Sequence, residues 1–330
     1  MEKVKIGLLG AGHMGKIHLQ LLQEIPGFSV MGFYDPDPEV SKSVQEKTGI
    51  RSFSSPEALM DICDAVDIVA PTRSHFELGK KAIKKGCHIF CEKPLAATVS
   101  EARELVKMIE EAGVTGMVGH VERFNPALLS VRHIPFDPLF IEVHRLAHFN
   151  PRGSDVSVVL DLMIHDLDIV LSMVKGNVKQ ISASGVAILT DSPDIANARI
   201  SFDNGCVANL TASRISLKVM RKMRLFQTGA YISLDFQEKK AEVVKIDKAP
   251  VGESGSFAEI DTHQGKRYIS FDQPEVQESN AIRMELETFL SSIKERKAPP
   301  VSFGDGLKAM ELAEMIQEKI TKQLRSQKSL

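Results

Sequence analysis

Residues 3–24 constrain the fold more than any other segment of the chain. Val4, Ile6 and Leu8 alternate as in a β-strand, a glycine-rich turn follows, and apolar residues then recur at helical spacing. The turn has the pattern G-x-G-x-x-G. A strand, this turn and a helix in that order predict a site where the pyrophosphate of a dinucleotide binds at a helix N-terminus.

Each glycine of the turn has its own mechanical reason. Gly10 allows the tight turn, Gly12 lets the pyrophosphate approach the main chain, and Gly15 lets helix and strand pack closely. The next predicted strand, Phe28–Tyr34, ends at Asp35, whose carboxylate can accept hydrogen bonds from both ribose hydroxyls. No arginine or serine directly follows to receive the 2′-phosphate of NADP. The sequence therefore predicts NAD as the cofactor.

Charge and composition exclude several classes of protein. With 41 Lys plus Arg against 43 Asp plus Glu, the net charge of −2 provides no basic surface for nucleic acid. No apolar run approaches the ~20 residues that cross a bilayer, and the first strand leaves no room for a signal peptide. The four cysteines lie in apolar runs without paired spacing. We therefore expect a reduced, cytoplasmic protein that binds a small molecule and neither nucleic acid nor membrane.

The hydrophobic pattern changes near residue 122. Before it, strands alternate with helices, which predicts an α/β domain with a parallel, doubly wound sheet over residues 1–122. After it, residues 123–330 predict an α+β domain with a large, open-faced and mainly antiparallel sheet. There we predict a helix over residues 155–174, a strand over 178–190 and an aperiodic, mobile loop over 253–265.

Two helices, around residues 281–294 and 306–322, close the second domain. The sequence is also compatible with these helices packing back on the first domain. The strand over 178–190 carries apolar residues on both faces, with Ile181, Ala183, Gly185 and Ala187 on one and Val178, Val186 and Ile188 on the other. An apolar sheet face left in water invites aggregation. We therefore expect helices to cover one face and a second subunit the other, in a homodimer or homotetramer.

Polar residues follow the carboxyl ends of the predicted parallel strands, where open α/β sheets bind ligands. They are Asp35, Pro71-Thr72, Glu92-Lys93-Pro94 and Gly119-His120. Lys93 is the one cation among them. Near a bound nicotinamide, burial and the positive ring favour a lysine that holds or receives a hydroxyl proton. A surface lysine without a chemical role is the alternative.

Asp161 and His165 form a second candidate pair. They are four residues apart on one predicted helix and share a face. A carboxylate one turn away raises the basicity of an imidazole and orients its ring, as a general base requires. An ordinary core histidine is the alternative, and we expect no metal site with Asp168 because no second ligand cluster completes the shell.

Arg123 and Asn125 open the junction between the predicted domains, and Arg152 precedes the helix that bears His165. Guanidinium and amide groups at a domain junction suit a polyhydroxylated or phosphorylated ligand. These three residues are therefore candidates for substrate binding. Ordinary capping within a linker is the alternative for each.

These motifs together resemble the glucose–fructose oxidoreductase, inositol dehydrogenase and rhizopine catabolism (Gfo/Idh/MocA) family over essentially the whole chain. The matching pieces are GLLGAGHMG, P-T-x-x-H, CEKPL after Gly86, D-x-x-x-H and the Gly-Asp-Gly of the last helix. The resemblance implies a Rossmann domain, an open-faced sheet domain, and Lys93 and His165 as the catalytic pair with Asp161 in support. It implies cofactor contacts from Gly10, Gly12, His13, Met14, Gly15, Asp35, Thr72, His75, Glu92 and Lys93.

The chain departs from the commoner family pattern just before D-x-x-x-H. A glycine-rich run is usual there, whereas residues 157–160 read SVVL. With GHVERFNP and DLMIHDLD, this variant resembles UDP-N-acetylglucosamine 3-dehydrogenases, which oxidise a nucleotide-sugar hydroxyl on the route to 3-amino sugars for lipid A. The alternatives are a dehydrogenase of another sugar or of a polyol such as inositol, a reductase of a non-sugar carbonyl, and a non-catalytic dinucleotide sensor. The presence of both Lys93 and His165 argues against the sensor.

Overall fold

The computed structural model describes residues 2–150, 156–248, 257–263 and 265–327. The chain divides into two compact units. Residues 1–121 with 280–311 form the first, and residues 122–279 with 312–330 form the second. Within the described ranges, no helix combines the length and the apolar character needed to cross a membrane.

The first unit contains a five-stranded parallel sheet in the order β2-β1-β3-β4-β5. Its strands are β1 (Val4–Leu9), β2 (Phe28–Tyr34), β3 (Ala65–Ile68), β4 (His88–Glu92) and β5 (Gly116–Gly119). Its first helices are α1 (His13–Glu24), α2 (Pro38–Thr48), α3 (Pro56–Met60), α4 (His75–Lys84) and α5 (Val99–Ala112). The chain winds outward from β1 in both directions, which confirms the predicted doubly wound sheet.

The second unit contains a nine-stranded sheet in the order β13-β14-β12-β11-β10-β6-β9-β8-β7. Its strands are β6 (Pro138–Leu146), β7 (Val178–Val186), β8 (Ile195–Phe202), β9 (Val207–Ser213), β10 (Met220–Gln227), β11 (Ala230–Asp235), β12 (Lys240–Asp247), β13 (Phe257–Thr262) and β14 (Gly265–Asp272). Its helices include α6 (Pro126–Ser130) and α7 (Ile164–Met173). Among the described strand pairs, β6–β9 is parallel and the others are antiparallel. The predicted mainly antiparallel sheet is confirmed.

The closing helices are α8 (Ala281–Glu295) and α9 (Phe303–Gln327). Helix α8 and the start of α9 belong to the first unit, so the predicted domain of residues 123–330 is not one continuous segment. Phe289 of α8 is fully buried, and its ring centroid lies 5.9 Å from that of Phe90 in β4. The apolar spacing of α8 predicts a buried face, but it does not say which sheet that face covers.

One face of the nine-stranded sheet packs on α7 and on the second part of α9. The opposite face is polar near β7, β8 and β9, where Ser182, Asn197 and Thr211 line a shallow cavity. The expectation of two apolar faces is therefore wrong for this part of the sheet. Aromatic rings occur further along, where Phe226 lies 5.9 Å from Phe140 and 5.0 Å from Tyr231 between ring centroids. A second subunit on this face stays a prediction.

Two predicted segments of the second unit differ from the structure. Strand β7 ends at Val186 because the buried Asp194 carboxylate accepts hydrogen bonds from the main-chain N–H groups of Ile188 (2.8 Å) and Leu189 (2.6 Å). The loop predicted over 253–265 is wrong over its described part, which contains β13 and the start of β14. Residues 258–262 of β13 are exposed, so this strand has no apolar alternation to reveal it.

Candidate active site

The glycine turn joins β1 to α1 and fits a phosphate. Gly10 has a φ of +100°, which favours glycine, and an added Cβ would lie 2.7 Å from the main chain of Ala70. A Cβ on Gly15 would lie 1.9 Å from the Gly10 carbonyl oxygen, so only glycine lets α1 start this close to the turn. A Cβ on Gly12 would meet nothing within 4 Å. The main chain of Gly12 therefore faces open space that a ligand can fill.

Asp35 follows β2 and contacts the same turn. Its Oδ2 accepts a hydrogen bond from the Ala11 main-chain N–H (2.7 Å), and its Oδ1 accepts one from Asp37 (3.0 Å). A cavity of about 850 Å³ lies beside these residues, and its lining includes His13 and Met14. This volume is typical of a small-molecule cleft. An open main chain at Gly12 and a carboxylate at Asp35 together fit the phosphate and ribose of a dinucleotide.

The Glu92-Lys93-Pro94 turn directly follows β4. The peptide bond between Lys93 and Pro94 is cis. The main-chain N–H of Lys93 donates to Glu92 Oε2 (3.2 Å). The buried His75 ring places Nδ1 2.9 Å from the Pro94 carbonyl oxygen and Nε2 2.7 Å from that of Ala70. His75 therefore holds the turn against the segment after β3, while the cofactor contacts implied for His75 and for the half-buried Thr72 stay predictions.

Asp161 and His165 lie at a change of helix type. A π-helical turn spans Val159–Met163 and leads directly into α7, so Asp161 belongs to the π-helical turn and His165 to the first turn of α7. Both side chains are half-buried. The helix predicted over 155–174 is thus partly π-helical, and its residue 155 lies outside the described residues. Single π-helical turns are rare overall, and many of those that do occur lie at functional sites.

Two of the three predicted substrate-binding residues have structural partners in their own unit. The Arg123 guanidinium donates to Asp168 from Nε (2.5 Å) and from Nη2 (2.9 Å), and both side chains are almost fully buried. The Asn125 side chain caps α6 and donates to Glu122 Oε2 (3.0 Å). Asn125 therefore fits the capping alternative, Arg123 has a structural role in an ion pair, and a binding role for either stays a prediction. Arg152 lies outside the described residues.

Sequence reasoning missed a buried ion-pair network beside α7. Arg145 of β6, which is 3% exposed, donates to both oxygens of Asp166 (2.7 and 2.8 Å) and to Glu122 Oε1 (2.8 Å). One sequence signal was available. Arg145 continues the inward-facing positions of Ile141 and Val143 in an alternating strand, and an inward arginine needs buried acids.

Comparison with known proteins identifies the family of this chain. Residues 4–120 match an oxidoreductase family with an NAD-binding Rossmann fold, and residues 130–232 match the GFO/IDH/MocA C-terminal domain. UDP-N-acetylglucosamine 3-dehydrogenase from Acidithiobacillus ferrooxidans is 33% identical over 93% of this chain and 93% of its own. The chain belongs to the Gfo/Idh/MocA oxidoreductase family. It is an NAD-dependent dehydrogenase.

Other relatives and solved structures agree with the family. A structure of the A. ferrooxidans enzyme has a TM-score of 0.87 at 30% identity and covers 97% of this chain and 98% of that chain. Inositol 2-dehydrogenase from Rhizobium meliloti is 27% identical over 94% of this chain and 95% of its own. An oxidoreductase from Agrobacterium radiobacter, solved with NAD+, L-tartaric acid and magnesium, has a TM-score of 0.80 at 20% identity over 97% of this chain and 96% of that one. At that identity it shows the fold alone.

We expect this dehydrogenase to prefer NAD over NADP. A 2′-phosphate would face the Asp35 carboxylate, and this repulsion costs about 2 kcal/mol, or roughly 30-fold in kcat/KM. Asp35→Ser should narrow the gap in steady-state kinetics with both cofactors. Asp37→Ser is a matched control, because Asp37 caps α2 in the same cleft and serine can replace that cap. Comparable kcat/KM values for the two cofactors in the wild type would contradict the prediction.

Proposed function

We propose that this enzyme oxidises a nucleotide-sugar hydroxyl to a ketone, with UDP-N-acetylglucosamine as the substrate and its 3-hydroxyl as the reacting group. The observation that carries the proposal is the similarity to the A. ferrooxidans UDP-N-acetylglucosamine 3-dehydrogenase over nearly the whole of both chains. Two segments that resemble those of UDP-N-acetylglucosamine 3-dehydrogenases, GHVERFNP and DLMIHDLD, support it. The ketone product is the kind of substrate that an aminotransferase converts into a 3-amino sugar.

When held at the glycine turn and Asp35, NAD would supply the acceptor for the hydride that leaves the carbon bearing the hydroxyl. The residues of this chain then have two tasks, to remove the hydroxyl proton and to stabilise the developing alkoxide. We assign the first to His165, oriented and made more basic by Asp161, and the second to Lys93. Each of the two can hold a proton at its side-chain nitrogen, so these roles can be exchanged.

Lys93 follows the carboxyl end of β4, the edge at which open α/β sheets bind ligands, and the Glu92 carboxylate accepts a hydrogen bond from its main-chain N–H. Asp161 lies four residues before His165, across the π-helical turn. A carboxylate in this position stabilises the imidazolium that forms when the histidine takes a proton.

A panel of substrates tests the proposed function. NADH formation is measured with UDP-N-acetylglucosamine, UDP-N-acetylgalactosamine, UDP-glucose, free N-acetylglucosamine and myo-inositol. We expect the highest kcat/KM for UDP-N-acetylglucosamine and a clear loss without the nucleotide, because remote contacts with the substrate contribute to catalysis. The highest kcat/KM for myo-inositol would contradict the proposal and support a polyol dehydrogenase, to which the inositol dehydrogenase similarity also points.

A further inference from the structure

Three acidic side chains surround one buried histidine in the first unit. His18 of α1 places its Nδ1 2.9 Å from Asp67 Oδ2 and its Nε2 3.4 Å from Glu92 Oε1. Glu285 of α8 offers a carboxyl oxygen to the same group, since ligand atoms of His18, Glu92 and Glu285 lie within 4.8 Å of one another. His18, Asp67 and Glu285 are fully buried, whereas 18% of the Glu92 side chain is exposed. We refer to these four residues as the His18 cluster.

Glu285 stands out within the His18 cluster. Neither of its carboxyl oxygens has a hydrogen-bond partner among the described residues, although the side chain is 0% exposed. An ionised carboxylate in this state would lose its hydration without compensation. Burial raises the pKa of the Glu285 carboxyl well above its usual value, and the nearby negative charge of Glu92 raises the pKa further. The missing hydrogen-bond partners and the direction of the pKa shift both favour the neutral form of Glu285 in the folded protein.

His18 carries the compensating positive charge. Burial alone would lower the pKa of its imidazole, but the carboxylates of Asp67 and Glu92 outweigh burial and raise the pKa to about 11. An imidazolium carries a proton on both ring nitrogens. Nδ1 is hydrogen-bonded to Asp67, whereas Nε2 makes no hydrogen bond to the described residues and faces Glu92 as an ion pair at 3.4 Å. If Glu285 were also ionised, three carboxylates would compete for this one cation. When Glu285 is neutral, the His18 imidazolium pairs with the carboxylates of Asp67 and Glu92.

The His18 cluster and the Glu92-Lys93-Pro94 turn share Glu92. One carboxyl oxygen of Glu92 faces His18, and the other accepts the main-chain hydrogen bond of Lys93. We propose that His18 and Asp67 are positioning residues for the reaction: they hold Glu92, and through it the main chain of Lys93, while Glu285 stays in the cluster as a neutral acid. The proposal rests on the role of Lys93 given above.

The first test replaces the imidazolium. In His18→Leu we expect the Lys93 amide to exchange its hydrogen about tenfold faster, because Glu92 is no longer held. We expect kcat to fall by on the order of 10²-fold, with the Kd for NAD within about threefold of wild type, because a displaced catalytic group affects the chemical step. Asp67→Asn keeps the shape of the side chain and removes its charge. It should change the exchange rate and kcat in the same direction as His18→Leu, but by a smaller factor. Gln20→Leu, at an exposed position of the same helix, is the control.

The second test concerns Glu285 and needs no activity. Above the usual pKa of a glutamic acid, Glu285 releases its proton in the unfolded chain but keeps it in the folded protein. Folding therefore takes up a proton, and the contribution of Glu285 to the free energy of unfolding falls as the pH rises. Glu285→Gln removes this dependence. We therefore expect Glu285→Gln to gain unfolding free energy relative to wild type as the pH rises above the usual pKa of a glutamic acid. Glu287→Gln on the same helix should not.

Each outcome decides a part of the proposal. Lys93 amide exchange and kcat equal to those of Gln20→Leu, in both His18→Leu and Asp67→Asn, would overturn the positioning role. If the difference in unfolding free energy between Glu285→Gln and wild type does not change with pH, the assignment of Glu285 as a neutral acid is overturned. A stoichiometric divalent metal in the purified holoenzyme, lost in Glu285→Gln, would show a metal site instead. Faster Lys93 exchange with unchanged kcat would keep the structural link and refute the role of Lys93 in the proposed function.

Discussion

Lys93→Met should lower kcat by roughly 10²-fold to 10⁴-fold, the usual contribution of a placed proton-transfer group. The substitution keeps an unbranched side chain and removes the ammonium, so the fold and NAD binding should remain largely intact. Stopped-flow measurement of NADH formation gives kcat, and NAD titration gives the affinity for the cofactor, both on the purified variant. Lys80→Met is the control, because Lys80 lies on α4, pairs with Glu104 and has no assigned role in the reaction.

His165→Gln should lose a factor similar to that of Lys93→Met, whereas Asp161→Asn should lose less, since Asp161 acts only through the imidazole. The comparison separates two accounts of the site. If Lys93→Met and His165→Gln both keep kcat within about threefold of wild type, neither residue supplies the proton transfer and the assignment is wrong.

Arg145→Met should lower the free energy of unfolding by about 3–5 kcal/mol, because it leaves Asp166 buried without its cation and leaves Glu122 with the half-exposed Arg221, 3.7 Å away. Urea denaturation followed by circular dichroism measures this loss. Arg224→Met is the matched control on the neighbouring strand β10. Its ion pair with Glu142 is about half exposed, so its removal should cost about 1 kcal/mol or less.

A double variant sharpens the stability test. Adding Asp166→Asn to Arg145→Met removes the uncompensated charge of Asp166 and should recover part of the loss. Equal losses for Arg145→Met and Arg224→Met would show that the buried network contributes no more than a surface pair, which contradicts the prediction.

The parts of the fold that local pattern determines agree with the sequence-based expectations. The glycine turn, Asp35 and the alternating strands of both sheets depend on neighbours within a few residues. The capping box at the start of α5 likewise depends on two residues three positions apart, Thr98 and Glu101. For these elements, backbone conformation and the alternation of apolar residues leave few alternatives.

The parts that depend on distant partners could not be predicted. Arg145 and Asp166 are separated by 21 residues along the chain, and no local pattern pairs them. Glu285 reads as one more charged position on an amphipathic helix, yet α8 packs it against the first unit beside Glu92. No local pattern in the sequence predicts the π-helical turn before His165. Candidate residues can therefore be found from sequence, whereas the side chains that hold them in place cannot.

The proposed function places the departing hydride on carbon 3 of UDP-N-acetylglucosamine. The most direct measurement uses substrate deuterated at carbon 3 and mass spectrometry of the NADH formed, with substrate deuterated at carbon 4 as the control. The account predicts deuterium in NADH from the first substrate and none from the second. Deuterium that stays in the sugar after turnover of the carbon-3 substrate, with unlabelled NADH, would contradict it.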